Sequence, residues 1–474
     1  MKRIFRAPFV LSLYLLACCF VLPLYAKRAA ASANTANAPR RLIVILDGVP
    51  FDTIEKLRAE GRFKRFTAPA RMVATFPSST NPSLVEILHT ENAPGYEDHY
   101  YDRAQNRLNG NIADRFNGSK FIARTYRQGF DYHAAAALGG MAYVAAPFST
   151  LITAQLDLAA LKNSFRQSDA IVFLGYVGAT DSLAHLGGER MLKVLLLTLD
   201  RAVEDLAAEA ERNGGKLEIE LLSDHGNRYD DYRHVKLNDA LKQAGFNAVK
   251  SLKQNGDVVL PRYGLVGSAQ LFTFAGEKKS VAAASIKAEG VDFALYYQGD
   301  NSLALVSQRG RARLSHQNER FKYEDLGGDP LRLNAIIETM RANGQLDAAG
   351  FADREAWFQA TLAHDYLDPV RRAFDAFDTH VKNRADVVVS FKDGWLIGSP
   401  FMTTFATMQA THGNLLRGES LGFAMSTRQA LPDYVRGSDL HARFGISEAK
   451  KMSSFVSGLG HCVAGLVLAE ALSR

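Results

Sequence analysis

Several short runs of apolar residues punctuate the chain, at 42–46, 170–175, 217–222 and 387–389. They are continuous rather than alternating, as strands covered on both faces require, so they predict the strands of a parallel sheet. The first run ends at Asp47-Gly48, and the third, less pure, at Ser223-Asp224-His225-Gly226. Between the second and third, Leu192, Leu195, Leu196, Leu199, Val203 and Leu206 recur at helical spacing, and Gly214-Gly215 supplies a stop. Strand, helix, strand in that order predicts an α/β fold: a three-layer α/β/α sandwich about a largely parallel sheet. Functional residues then belong at the carboxyl ends of strands, where Asp47, Asp224 and His225 fall. Residues 255–325 read differently. Apolar stretches at 293–297 and 303–306 flank Gly299-Asp300-Asn301, which predicts a hairpin in a smaller inserted, β-containing cap.

The N-terminus has its own pattern. Lys2, Arg3 and Arg6 precede an uncharged apolar run over 8–26, and small residues follow, with Ala31-Ser32-Ala33 as a cleavage site. This is the pattern of a signal peptide over 1–33. The run also approaches membrane-spanning length, so a single uncleaved anchor is the alternative. Either way the rest of the chain is expected outside the cytoplasm, periplasmic or extracellular. Residues 34–40 read as a linker and 41–474 as the catalytic domain, with ordered structure beginning at Arg41.

Composition narrows the classes. A chain of 474 residues with 47% apolar content is long enough for one large α/β domain with an insertion, and is not a disordered chain. The net charge is +6, but Lys and Arg are scattered, so no nucleic-acid groove is expected and anionic small molecules are attracted only weakly. Cys18 and Cys19 lie in the N-terminal segment, which leaves Cys462 alone in the mature chain. No intrachain disulfide and no cysteine-based metal site are expected.

The candidate chemistry lies in five short motifs: Asp47-Gly48, the stretch from Phe76 to Pro82, Asp181-x-x-x-His185, Ser223-Asp224-His225-Gly226, and Thr411-His412-Gly413-Asn414. Each alone has a bland reading. A strand-end Asp caps or turns a chain, Thr80-Asn81-Pro82 is a natural turn, and Asp181 with His185 is an ordinary helical pair. The remaining histidines have no such context. Together the motifs supply three Asp, three His and a hydroxyl. Mixed oxygen and imidazole ligands with open positions suit catalytic zinc, and two such ions about 3.5–4 Å apart clamp both oxygens of a phosphoryl displacement.

In order and local spelling these motifs resemble the alkaline phosphatase superfamily, and best its nucleotide pyrophosphatase/phosphodiesterase branch. The likeness covers residues 41–230 and 385–430. It implies an alkaline-phosphatase-like fold and two divalent ions, Zn2+ by preference. One ion would be held by Asp181, His185 and His412, the other by Asp47, Asp224 and His225, with Thr80 also on the second. The resemblance also implies a phosphoryl-threonine intermediate on Thr80, which fits the family's Phe-Pro-x-x-Thr stretch better than Ser79 or Thr75. Asn81 is the expected contact to the phosphoryl oxygens. The expected substrate is a small-molecule phosphate ester, and a phosphodiester before a monoester. Ser83 stands where many phosphodiesterases have Asn, so the substrate class is left open. A sulfatase is discounted because Cys462 lacks the required context. A non-catalytic binding protein on the same fold is the rival from another class.

Overall fold

Strand β1 (Arg40–Leu46) faces two hydrophobic cores at once. Leu42, Val44 and Leu46 enter one core, while Ile43 and Ile45 enter the other. Successive side chains of a strand point to opposite faces, so an unbroken apolar run fits a strand buried on both sides. The computed structural model describes residues 39–110, 129–133, 147–262, 264–299, 301–378, 380–399 and 407–446. The segment expected to be a leader or anchor, most of the expected linker, Asp300 and Cys462 lie outside them. Among the described residues, no helix is long and apolar enough to cross a membrane.

After β1 come α1 (Phe51–Ala59), β2 (Ala70–Val73), α2 (Thr80–Leu88), β3 (Tyr132–His133), α3 (Pro147–Gln167), β4 (Val172–Val177), α4 (Ala179–Arg212) and β5 (Leu217–Ser223). Then come β6 (Ser268–Leu271), β7 (Val291–Gly299), β8 (Ser302–Ser307), β9 (Arg311–Gln317), β10 (Arg320–Asp325) and β11 (Ala352–Asp353). The chain returns through α5 (Pro369–Asp378), β12 (Val387–Phe391), β13 (Leu421–Ser426), β14 (Tyr434–Arg436) and α6 (Gly437–Arg443). The central sheet has seven strands in the order β14-β2-β13-β5-β1-β4-β3. Its strands pair in parallel except β13, which runs against β2 and β5. Helices α1, α3 and α4 cover one face, and α2 and α6 the other. The fold is therefore mixed α/β, with helices on both sides of a largely parallel sheet.

Register places the site. Leu46 stands opposite Val177 on one side and Ser223 on the other, so β1, β4 and β5 end level. The residues that follow each strand must then share one rim. The helix expected from the leucine spacing is the second part of α4, and Leu192, Leu195, Leu196, Leu199, Val203 and Leu206 are all buried. Its first part, which carries Asp181 and His185, is set off by a kink at Gly188, where φ is +63°. Only glycine takes that conformation without steric cost.

The second sheet also has seven strands, in the order β6-β12-β7-β8-β9-β10-β11, and all its pairings are antiparallel. It includes the expected hairpin, with Leu295 opposite Leu305, and draws strands from a wider span than 255–325. The run at 387–389 is a strand, but it is β12 of this antiparallel sheet and not a strand of the parallel one. The physical reason is that Val388 packs into one core and Val387 and Val389 into another. Burial on both faces produces the same apolar run whichever way the neighbours point.

Ile45, the next-to-last residue of β1, is fully buried. Ile45→Ala removes side-chain volume there with little room for collapse, and is expected to lower stability by about 2–5 kcal/mol. Urea unfolding with an unchanged m-value checks this.

Candidate metal centre

Three strand ends deliver the acidic residues. Asp47 follows β1, Asp181 lies in the first turn of α4 just after β4, and Asp224 with His225 follows β5. The Gly48 amide donates to Asp224 Oδ1 at 3.0 Å. Gly48 has φ +62°, and a Cβ there would stand 2.4 Å from both Asn227 Nδ2 and Asp181 Oδ1. The Asn227 amide fills this gap, donating to Gly48 O at 2.7 Å and to Asp181 Oδ1 at 2.9 Å.

His412 arrives from the other end of the chain. It follows the short strand Ala410–Thr411, which pairs with Arg228–Tyr229 just beyond β5. The Gln409 amide donates to His185 O at 2.8 Å, which sets this segment against the first part of α4. Two loops then interlock. Ser78 Oγ accepts from the Gly413 amide at 2.9 Å and donates to Asn414 O at 3.2 Å.

The three imidazoles share one arrangement. His185 Nδ1 lies 2.7 Å from Ala410 O, His225 Nδ1 2.9 Å from Gly226 O, and His412 Nδ1 2.7 Å from Ser78 O. A carbonyl only accepts, so each Nδ1 carries the proton and donates it. Each Nε2 therefore faces inward, which is how a protein orients a histidine ligand. His185 Nε2 is 3.0 Å from Asp181 Oδ2, and His225 Nε2 is 3.3 Å from Asp47 Oδ1 and 3.8 Å from Asp224 Oδ2. His412 Nε2 is 3.8 Å from Asp181 Oδ1. The His225 and His412 rings stack, with centroids 4.0 Å apart.

Among the described residues, two trios bring their ligand atoms within 4.8 Å of one another: Asp181, His225 and His412, and Asp47, Asp224 and His225. His225 belongs to both. His185 adjoins the first through Asp181. Asp224 Oδ2 is fully buried and has no hydrogen-bond partner. Hard carboxylate oxygens and borderline imidazole nitrogens, without thiolates, form a donor set that fits zinc-like divalent ions. These residues can therefore hold metal.

The hydroxyls separate cleanly. Thr80, the first residue of α2, donates to Asp47 Oδ1 at 3.2 Å and lies 3.4 Å from His225 Nε2. Ser79 Oγ donates instead to Tyr96 O, and Thr75 Oγ1 donates to Pro77 O and pairs with Ser83. Asn81 Nδ2 donates to Gly95 O at 3.2 Å, which ties the 95–97 loop to the start of α2. Two further residues serve the cluster without having been expected. Tyr176 OH donates to Asp47 Oδ2, and Asn227 holds Asp181. Asn227 directly follows the Ser-Asp-His-Gly motif and was within reach of a longer reading of it. Tyr176 lies inside a strand and carries no local signal.

Electrostatics point the same way. Burial pushes the Asp224 carboxyl up to about 8, and the neighbouring Asp47 adds to it. Burial lowers His225, but Asp224 and Asp47 outweigh it and carry the imidazole up to about 10. Asp181 is pulled the other way: burial raises it, and His185 more than offsets that. Without a cation, the cluster keeps protons between its carboxylates and imidazoles.

No family model and no curated protein matches the chain. Among solved structures it is similar to human ectonucleotide pyrophosphatase/phosphodiesterase 5, at 14% identity over 85% of this chain and 93% of that one, with a TM-score of 0.44. It is also similar to phosphonoacetate hydrolase from Sinorhizobium meliloti 1021 in complex with phosphonoformate, at 14% identity over 89% of this chain and all of that one (100%), with a TM-score of 0.48.

Protons held on His225 and Asp224 must leave when a divalent ion enters. Zinc uptake at neutral pH is expected to release protons, and affinity is expected to fall as pH falls. Calorimetric titration in buffers of different ionisation enthalpy measures the protons released. A heat that does not depend on the buffer would contradict the protonation state derived for the cluster.

Proposed function

We propose that this chain is an exported hydrolase of phosphate esters, a phosphodiesterase or nucleotide pyrophosphatase that works with two divalent metal ions, zinc by its donor set. One observation carries this reading. Three imidazoles, anchored through Nδ1, turn their Nε2 atoms toward three buried carboxylates, and the Thr80 hydroxyl stands at the edge of that cluster. Asp181, His185 and His412 would hold one ion, and Asp47, Asp224 and His225 the other. Bound there, the ions would supply Lewis-acid charge that favours ionisation of a neighbouring hydroxyl and offsets charge on the phosphoryl oxygens.

The chain's own residues do the rest. Asp47 Oδ1 accepts the Thr80 hydroxyl proton's hydrogen bond and so aims the oxygen lone pair outward. Tyr176 OH donates to the other oxygen of Asp47 and fixes its orientation. Thr80 is the first residue of α2, whose positive dipole end favours an anionic phosphoryl group there. Thr80 attacks phosphorus in line, the ester bond to the leaving oxygen breaks, and a phosphoryl-threonine forms. Water then displaces Thr80, which regains its proton. The Thr80 proton leaves with the released alcohol, and the water consumed later returns a proton to Thr80 and gives its hydroxyl to the product phosphate. Asn81, through Gly95, steadies the loop beside this site. The basic and apolar N-terminal segment supports export, as a cleaved leader or a single anchor.

Thr80→Ala is expected to bind zinc at the wild-type stoichiometry while turnover of a phosphodiester falls by at least about 10³-fold. His412→Ala is expected to weaken zinc by more than the roughly 10–100-fold typical of losing an outer partner. Chromogenic diester and monoester hydrolysis with metal analysis of each variant checks both. Monoester turnover alone would move the reading to a phosphomonoesterase. Full activity in Thr80→Ala would remove the nucleophile assignment, and a wild type that binds no metal would favour a binding protein on this fold.

A further inference from the structure

Helix α5 is built into the second sheet yet reaches the centre. Val370, Ala373, Phe374 and Phe377 pack into the core beneath β7 to β10. Its two consecutive arginines leave that core. Arg371 pairs with Glu86 of α2 at 2.6 Å, with Asp375 at 3.0 Å and with Asp368 at 3.7 Å. Arg372 is 1% exposed, and its four hydrogen bonds go to carbonyls and a hydroxyl rather than to carboxylates. Its Nη2 donates to Thr75 O at 2.9 Å and to Ser420 Oγ at 2.7 Å. Its Nη1 donates to Leu367 O at 2.9 Å and to Leu415 O at 3.3 Å.

Those acceptors have chemical meaning. Thr75 opens the loop that ends at Thr80, and Leu415 closes the loop that begins at His412. At their near end the two loops are joined by Ser78, which meets His412, Gly413 and Asn414. At their far end a single guanidinium joins them. Ser420 extends the join, since its Oγ donates to Leu416 O and its carbonyl accepts from the Ala74 amide. We propose that Arg372 is the positioning residue that fixes Thr80 relative to His412, and that the second sheet governs the metal centre through it. The proposal rests on the roles given above to Thr80 and His412.

A planar fork is needed for this task. It holds donors at fixed separation and can bond carbonyls on different segments at once, whereas an ammonium is a point with rotating donors. Burial draws the Arg372 pKa down to about 10, with Asp368 opposing, so the group keeps its charge at neutral pH. A buried cation bonded by neutral acceptors is costly to place, which argues that the geometry it enforces is used.

The test compares full-length wild type, Arg372→Lys, Arg372→Ala and Ser420→Ala by zinc titration, amide hydrogen exchange and steady-state kinetics on a phosphodiester chromogen. Arg372→Lys is expected to lower kcat by about 10²-fold with KM little changed, because a small misplacement of reacting groups costs that much. Zinc affinity is expected to drop about tenfold. Exchange is expected to quicken within 75–80 and 412–416 while β1, β4 and β5 keep wild-type protection. Guanidinium added to Arg372→Ala is expected to restore part of kcat, and an equal concentration of ammonium is not. Wild-type kcat and zinc affinity in Arg372→Lys would overturn the proposal. If Arg372→Lys does not fold, Ser420→Ala decides: the same local pattern in smaller degree supports the proposal, and wild-type behaviour overturns it. A wild type that binds zinc but cleaves no ester would sink the functional reading, and the zinc and exchange measurements would still judge Arg372.

Discussion

Lone pairs facing lone pairs are the constraint on which this structure turns. Three histidines spend their Nδ1 protons on backbone carbonyls, so their Nε2 atoms meet carboxylate oxygens across 3.0–3.8 Å. Such an arrangement repels unless a proton or a metal cation stands between the partners. The surroundings are built to keep it. Level strand ends bring Asp47, Asp181 and Asp224 to one rim, Gly48 leaves room for Asn227, and carbonyls from three separate segments hold the rings. None of this improves the packing of the core. It makes sense as the preparation of a polar site for a charge supplied from outside.

The two sheets divide the labour. The largely parallel sheet supplies acidic residues from the ends of adjacent strands, which is where that architecture exposes side chains. The antiparallel sheet supplies no ligand of the trios from its own strands. It carries the return path of the chain, through α5 and β12, to the loop that bears His412. The interlock of residues 75–80 with 412–415 is thus a junction between the two units, and the hydroxyl and one imidazole are placed by it together.

Much of the site was legible in the sequence because its parts are local. A strand-end Asp-Gly, a Ser-Asp-His-Gly and an Asp-x-x-x-His are each written within a few residues, and the strand register then unites them. Thr80 was separable from Ser79 and Thr75 by spacing, and geometry separates them again by where each hydroxyl points. What was not legible depends on long-range pairing. The sheet to which residues 387–389 belong cannot be read from an apolar run, since cores on both faces look alike in either sheet. Tyr176 and Arg372 act through contacts with residues 129 and 297 positions away, and nothing near them in sequence marks it.

His225 belongs to both acidic trios, and it has a single inward nitrogen. One lone pair cannot coordinate two ions, so the trios are alternatives for it rather than independent cups. Once His225 is committed on the Asp47 and Asp224 side, the opposite side must complete itself with His185, whose Nε2 already lies beside Asp181. Under the two-ion reading proposed above, occupancy of one position would therefore change the ligand shell of the other. The stacked rings of His225 and His412, with centroids 4.0 Å apart, would then be the place where one such position is felt by the other.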